Sequence, residues 1–250
     1  MIQLKSQREI EIMAHGGKIL ADTVRLLERS VRPGMTTAEL DQIADDFIRS
    51  HPGAKPSFKG LYNFPASICS SINNEIVHGI PSRKRVLNEG DLISIDVGVQ
   101  YEGYHTDSAT TVPVGHINEE SQRLLDVTRR ALDAGVAHAK AGNHLGDIGA
   151  AIQAVVEAAG FSVVRDLVGH GIGTGFHEEP QVPNYGKPNR GIRLVPGLTI
   201  AIEPMVNVGK PGIRTMPDKW TVVTVDGTRS AHFEHTVAIT ENGPRILTAA

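Results

Sequence analysis

Leu92-Ile93-Ser94-Ile95-Asp96-Val97-Gly98-Val99 reads as a buried strand with a carboxylate in its middle. An unpaired carboxylate is costly to bury, so Asp96 needs a partner. Tyr101-Glu102-Gly103-Tyr104 reads as a turn, and His105 to Val114, rich in Thr and Val, as the returning strand that carries Asp107. A hairpin centred between Tyr101 and Glu102 sets Asp96 and Asp107 directly opposite each other on one face. Facing carboxylates repel unless a proton or a cation lies between them, so the pair is either a structural acceptor site or a cation site.

Upstream of this hairpin the period changes from two to that of a helix. Ser6 and Glu9 form a capping-box pattern ahead of Ile10, Met13, Gly17, Leu20, Val24 and Leu27, which predicts a helix ending near Ser30. Pro33-Gly34 breaks the chain. Thr36 and Glu39 then cap a second helix with Leu40, Ile43, Ala44 and Phe47 inward, ended by His51-Pro52-Gly53. Ile68 to Ser71 reads as extended. Downstream the order recurs: residues 119–141 read as helical, Ala141-Gly142 breaks the chain, and Ile148, Ala151, Ile152 and Val155 mark a helix closing at Gly160. Gly34 and Gly142 stand 108 residues apart, and the same offset carries Leu40 onto Ile148, Ala44 onto Ile152 and Phe47 onto Val155. Leu198 to Ile202, Thr221 to Val225 and His232 to Ile239 read as strands. The expected fold is therefore α/β (α+β), a pseudo-twofold pair of helix–helix–strand halves within residues 1–250, spanning about 1–115 and 116–250. Helices cover one face of a mainly antiparallel sheet, and a site lies between the halves.

The repeat supplies a second acidic pair. Glu203 ends the strand Leu198 to Ile202, and Glu234 lies within His232-Phe233-Glu234-His235-Thr236. Singly, each reads as an edge-strand charge facing water. Jointly, with Asp96 related to Glu203 and Asp107 to Glu234, four acids converge between the halves. Gly169-His170-Gly171-Ile172-Gly173 sets an imidazole among glycines that allow close backbone approach, and it does not fit the dinucleotide pattern G-x-G-x-x-G. His177-Glu178-Glu179-Pro180 and His78-Gly79-Ile80-Pro81 lie near the acidic strands. Four carboxylates and an imidazole without a thiolate favour Mn, Fe(II), Co or Zn, and bridging carboxylates favour two ions. Two ions about 3.5–4 Å apart activate a water and polarise a carbonyl, which is hydrolase chemistry.

Composition is consistent with that reading. The 250 residues include 25 Lys+Arg against 28 Asp+Glu, a net charge of −3, which argues against bulk nucleic-acid binding and against an acidic disordered tail. The lone Cys69 excludes an intramolecular disulfide and a Cys-based zinc finger and suggests a reducing compartment. MIQLKSQREIEIM lacks the apolar core of a secretory signal, and no run of eighteen apolar residues occurs, so a cytoplasmic chain with no membrane partner is expected.

Asp96, Asp107, His170, Glu203 and Glu234, in that order, resemble the five metal ligands of the type I methionine aminopeptidases of peptidase family M24. The runs SINNEIVHGIP (71–81), DLISIDVGVQYEGYHTDSATT (91–111), GHGIGTGFHEEPQVPNYG (169–186), AIEPM (201–205) and HFEHT (232–236) are similar to that family's signatures and extend over essentially the whole chain. The resemblance implies a pita-bread fold, with helices outside a curved antiparallel sheet. It implies two divalent ions (Co, Mn, Fe or Zn), with Asp96 on one, His170 and Glu203 on the other, and Asp107 and Glu234 bridging. It makes a metal-activated water the nucleophile, Glu203 the proton carrier, and His177 the contact to the scissile carbonyl or the tetrahedral intermediate. His78 would contact the scissile nitrogen. Tyr62, Phe64, Cys69, Phe176 and Trp220 would wall the methionine pocket, with Phe64 standing where relatives often carry Tyr and Phe58 where some carry Cys. The implied activity is removal of initiator methionine from nascent chains, at the ribosome, when the second residue is small, by a monomer.

The nearest rival is an aminopeptidase P or prolidase, which cuts before proline and typically adds a large N-terminal domain. Type II methionine aminopeptidases insert a long helical segment between the last two glutamates, which here are 31 residues apart. The zinc-binding N-terminal extension of some eukaryotic relatives is also missing from this sequence, so a bacterial-style catalytic unit is expected. A metal-free binding protein on the same fold would have lost ligands, whereas all five positions are filled.

Overall fold

The computed structural model describes residues 2–249. Two long helices come first, α1 (Gln7–Ser30) and α2 (Thr37–Arg49), followed by β1 (Ala54–Pro56), β2 (Ile68–Ile72), β3 (Glu75–Val77), β4 (Leu92–Tyr101) and β5 (Tyr104–Pro113). The pattern then recurs with α3 (Glu119–His138), α4 (Leu145–Ala158), β6 (Ser162–Val163), β7 (Gly169–Gly171), β8 (Glu178–Val182), β9 (Thr199–Ile202) and β10 (Met205–Asn207). The chain continues through β11 (Ile213–Thr215), β12 (Val222–Thr224), β13 (Ser230–His232), β14 (His235–Thr240) and β15 (Gly243–Ile246).

Both capping boxes form: Ser6 with Glu9 opens α1, and Thr36 with Glu39 opens α2. The inner face of α2 is turned by one residue from the expected one. Thr37, Leu40, Ala44 and Ile48 are buried, whereas Phe47 is only half-buried. In α4 the same turn buries Leu145, Ile148, Ile152 and Val156 and leaves Val155 half-buried. The 108-residue correspondence thus holds on the true inner face of both helices. Helix α3 stops at His138, short of residue 141.

Every strand pair is antiparallel, but the ladders divide into separate groups: β4 with β1, β2 and β5; β15-β14-β9-β7-β8; β13-β10-β6; and β11-β12-β3. Alternation along β4 explains its anomalous carboxylate. Ile93, Ile95, Val97 and Val99 pack into a core with Leu20, Leu27, Leu40 and Ile48 of α1 and α2. Ser94, Asp96 and Gly98 therefore face the other way. In the second half Ile200, Ile202, Val237 and Ile239 pack with Leu124, Ala131, Ile148 and Ile152 of α3 and α4. Glu203 and Glu234 fall on the opposite parity. Each fully buried aliphatic side chain contributes about 1.5–3 kcal/mol, so the two apolar faces hold the strands in this orientation against the repulsion of the acids.

The β4–β5 register corrects the direct opposition of Asp96 and Asp107. Tyr101 pairs with Tyr104, so Asp96 faces Ala109 and Asp107 faces Gly98. The two-residue turn Glu102-Gly103 has positive φ at both positions (47° and 88°), the geometry that matches strand twist in a tight hairpin. That turn centres the hairpin one residue later than expected. The shift preserves parity, so the two acids remain on one face as diagonal neighbours.

The predicted strand from His232 to Ile239 is interrupted at Phe233-Glu234. Met205 pairs with His232 and Ile202 with His235, so the register runs unbroken across the gap. Pro204 lies within that gap and has no N–H to donate; the Phe233 N–H reaches the Pro204 carbonyl at 3.4 Å, and the Glu234 N–H turns to the Ala109 carbonyl (2.9 Å). Glu203 and Glu234 stand opposite each other at this opening.

Candidate metal centre and substrate cavity

The two acidic ribbons meet along β5. Its Ser108 and Thr111 hydroxyls donate to the carbonyls of Glu234 and His232 (both 2.8 Å). The Asp107 N–H donates to Thr236 Oγ1, whose hydroxyl donates back to the Asp107 carbonyl (both 2.8 Å). The Thr-rich composition of β5 thus supplies hydroxyls that join two hairpins without a regular ladder.

His170 enters from β7, flanked by glycines. A side-chain carbon at Gly169 would run into the Ala201 carbonyl, and one at Gly171 into the Glu179 carbonyl, so only glycine lets β7 lie this close to its neighbours. His170 Nδ1 donates to the Gly171 carbonyl (2.8 Å), which assigns its proton and leaves the Nε2 lone pair free. That Nε2 lies 3.8 Å from Asp107 Oδ2 and 3.7 Å from Glu203 Oε1. Donor atoms of Asp107, His170 and Glu234 all lie within 4.8 Å of one another.

The electrostatics of this cluster call for positive charge. Burial pushes Asp96 up to about 6 and Glu203 up to about 8. Burial and the charges of Asp96 and Glu203 raise Asp107 well above the usual carboxylate range; burial and the charges of Asp107, Glu203 and Asp96 do the same to Glu234. Asp96 Oδ1, Asp107 Oδ1 and Glu234 Oε1 are buried with no hydrogen-bond partner among the described residues. Burial holds His170 neutral by lowering it to about 4, and neutral imidazole is the ligating form. Crowded carboxylates with orphaned oxygens and a tautomer-locked imidazole fit divalent cations.

A cavity of about 540 Å³ opens onto this cluster. Its lining includes each of the five acid and imidazole side chains, His78, His177, and the aromatic and thiol groups Tyr62, Phe64, Cys69, Phe176 and Trp220. Cys69 pairs across from Asp96 in the β2–β4 register. Phe58 meets Phe176 edge-on at 5.3 Å and Phe64 at 6.4 Å, while Phe64 meets Trp220 edge-on at 5.1 Å. Trp220 is half-buried at the rim, and the Asp218 carboxylate fixes its turn by accepting from the N–H groups of Trp220 and Thr221 (both 2.9 Å). His177 is exposed at the mouth, stacked on Tyr62 at 5.7 Å and edge-on to His170 at 4.4 Å. His78 sits behind Trp220, with ring centroids 6.4 Å apart; burial and the nearby rings of His232 and His177 lower it to about 4.

Three contributors to the site were not singled out in the sequence. His232, 1 % exposed, turns into the acidic cluster. Its signal was legible, since it lies two residues before Glu234 and so shares its face. His105 presses edge-on against Phe176 at 5.6 Å and is pinned by Ser57 and Gln100. Lys5 forms a buried ion pair with Glu178, next to His177, which no local pattern announces.

Comparison with known proteins agrees with this geometry. Residues 11–241 match the model of metallopeptidase family M24. A methionine aminopeptidase of Clostridium perfringens is 54 % identical over 248 residues, covering 99 % of each chain. The solved methionine aminopeptidase of Thermotoga maritima is 44 % identical and superposes with a TM-score of 0.98 over 100 % of both chains. A prolidase from Pyrococcus horikoshii, at 24 % identity, shares the fold with a TM-score of 0.80 over 99 % of this chain and 63 % of its own. The helices outside and antiparallel strands inside form the pita-bread arrangement of these enzymes. With the whole length matched at such identity, the chain belongs to metallopeptidase family M24 and, within it, to the type I methionine aminopeptidases.

Proposed function

We propose that this protein is a metal-dependent aminopeptidase that removes the N-terminal methionine of nascent polypeptides in the cytoplasm, acting as a monomer. The observation that carries the reading is the joining, in one cavity, of an acid and imidazole cluster to an apolar aromatic wall. Asp96, Asp107, His170, Glu203 and Glu234 would hold two divalent ions, drawn from Co, Mn, Fe or Zn. Bound there, such ions acidify a water and polarise the scissile carbonyl.

The remaining chemistry belongs to the chain. Ionised once cations offset the charge of the cluster, Glu203 would accept the proton of the attacking water on a carboxylate oxygen and pass it to the leaving amine. His177, at the mouth of the cavity beside His170, donates to the oxygen that develops negative charge at the tetrahedral stage. His78 contacts the scissile nitrogen. Phe58, Phe64, Phe176 and Trp220 present ring edges and faces to a flexible thioether, the kind of contact sulfur favours. A bulky second residue would clash in the cleft, which selects small ones.

The test is steady-state release of the first residue from Met-Ala-Ser, Leu-Ala-Ser and Xaa-Pro peptides, with each metal added back to chelator-treated protein. Metal-restored preference for Met-Ala-Ser is expected. Preference for Xaa-Pro substrates overturns the reading in favour of a prolidase-like enzyme.

A further inference from the structure

His232 is buried, and both its ring nitrogens lack a hydrogen-bond partner among the described residues. Such a side chain is destabilising unless something absent from the polypeptide satisfies it. Its Nε2 lies 3.6 Å from Glu203 Oε2 and 3.9 Å from Glu234 Oε2. His170 Nε2 stands in nearly the same relation to its own acids, 3.7 Å from Glu203 Oε1 and 3.8 Å from Asp107 Oδ2. The Glu203 carboxylate is thus flanked by two imidazoles, one facing each oxygen.

These separations are too long for hydrogen bonds. They are close to the spacing of neighbouring donors around one ion, which stand about 3–3.5 Å apart when each bond is near 2.1 Å. The backbone holds the ring in place. His232 ends β13 opposite Met205, and its N–H and carbonyl are both tied to Thr111 Oγ1 (2.8 Å each). Its parity is that of Glu234, so its side chain leaves the backbone on the face that bears the acids.

We propose that His232 is a further metal-ligating imidazole, serving the Glu203–Glu234 side of the centre as His170 serves the Glu203–Asp107 side. The inference rests on the reading of this cluster as a divalent-metal centre and adds a donor to the five that the family resemblance supplies. A second nitrogen donor favours Zn(II), Co(II) and Fe(II) over Mn(II), which prefers oxygen.

The experiment is long-range proton–nitrogen NMR of the histidine rings in protein titrated with Zn(II). Two rings are expected to move one nitrogen to metal-bound positions in the native chain, one of them lost in His232→Gln and the other in His170→Gln. Calorimetric titration is expected to show Zn(II) affinity reduced at least tenfold in His232→Gln, with Mn(II) affinity changed less. A single zinc-bound ring in the native chain, lost in His170→Gln, overturns the role of His232 and leaves the metal centre standing. No zinc-bound ring at all overturns both. The ring count on the native chain decides the matter even where His232→Gln fails to fold.

Discussion

Asp107 places a charge where packing alone would favour an apolar group. It is 4 % exposed, and its carboxyl is raised by burial and by the charges of Asp96 and Glu203. Asp107→Asn removes one member of this repelling group, so peptidase activity is expected to fall to background while the chelator-treated variant melts no lower than the parent. Turnover near the parent's in metal-supplemented assays contradicts the assignment. His177 is the reverse case, exposed and in contact with Tyr62 and His170. His177→Ala is expected to lower kcat about 10²–10³-fold, the usual loss for one oxyanion donor. Its stability should change by less than about 0.5 kcal/mol. A pure loss of stability with kcat intact refutes the role.

Helix α1 is held at its start by Glu9, which accepts from the Ser6 N–H and hydroxyl and from Tyr104 of β5 (all 2.7 Å). The Ser6 hydroxyl, then Tyr104 and the Ser6 N–H, lower the Glu9 carboxyl from 4.5 to about 2. A folded value below the unfolded one means stability present above pH 4.5 and lost as pH falls from there toward 2. Glu9→Gln keeps the capping-box pattern but removes the charge from the first turn, and is expected to cost about 0.3–1 kcal/mol at neutral pH. The variant's melting temperature should also fall less steeply with acid than the parent's; parallel curves contradict this account. The capping boxes were readable because their partners lie three residues apart. The inward face of α2 was less so. Ile43 and Phe47 fit an apolar stripe as well as Ile48 does, and only the sheet beneath chooses which residues it covers.

Across the whole molecule the N-terminal segment is tied to the catalytic face. Lys5 Nζ binds the Glu178 carboxylate and the Gln3 carbonyl, and Glu178 also accepts from the Gly175 N–H, bracing the turn that carries Phe176 and His177. Removing one partner of a buried ion pair leaves the other unpaired, so Lys5→Ala is expected to destabilise the protein by about 3–5 kcal/mol in denaturant unfolding. Glu178→Gln with Lys5→Met should recover much of that loss; a Lys5→Ala variant as stable as the parent sinks the account. Capping chemistry, strand and helix periods, the 108-residue correspondence and the acids in apolar strands were all written in the chain, because each depends on neighbours a few residues away or on a repeat visible by position. The hairpin register, the unbroken ribbon through Pro204, the approach of His232 to Glu203 and the Lys5–Glu178 tie emerged only on folding. Turn geometry and contacts between distant segments govern these features, and neither leaves a periodic trace along the chain.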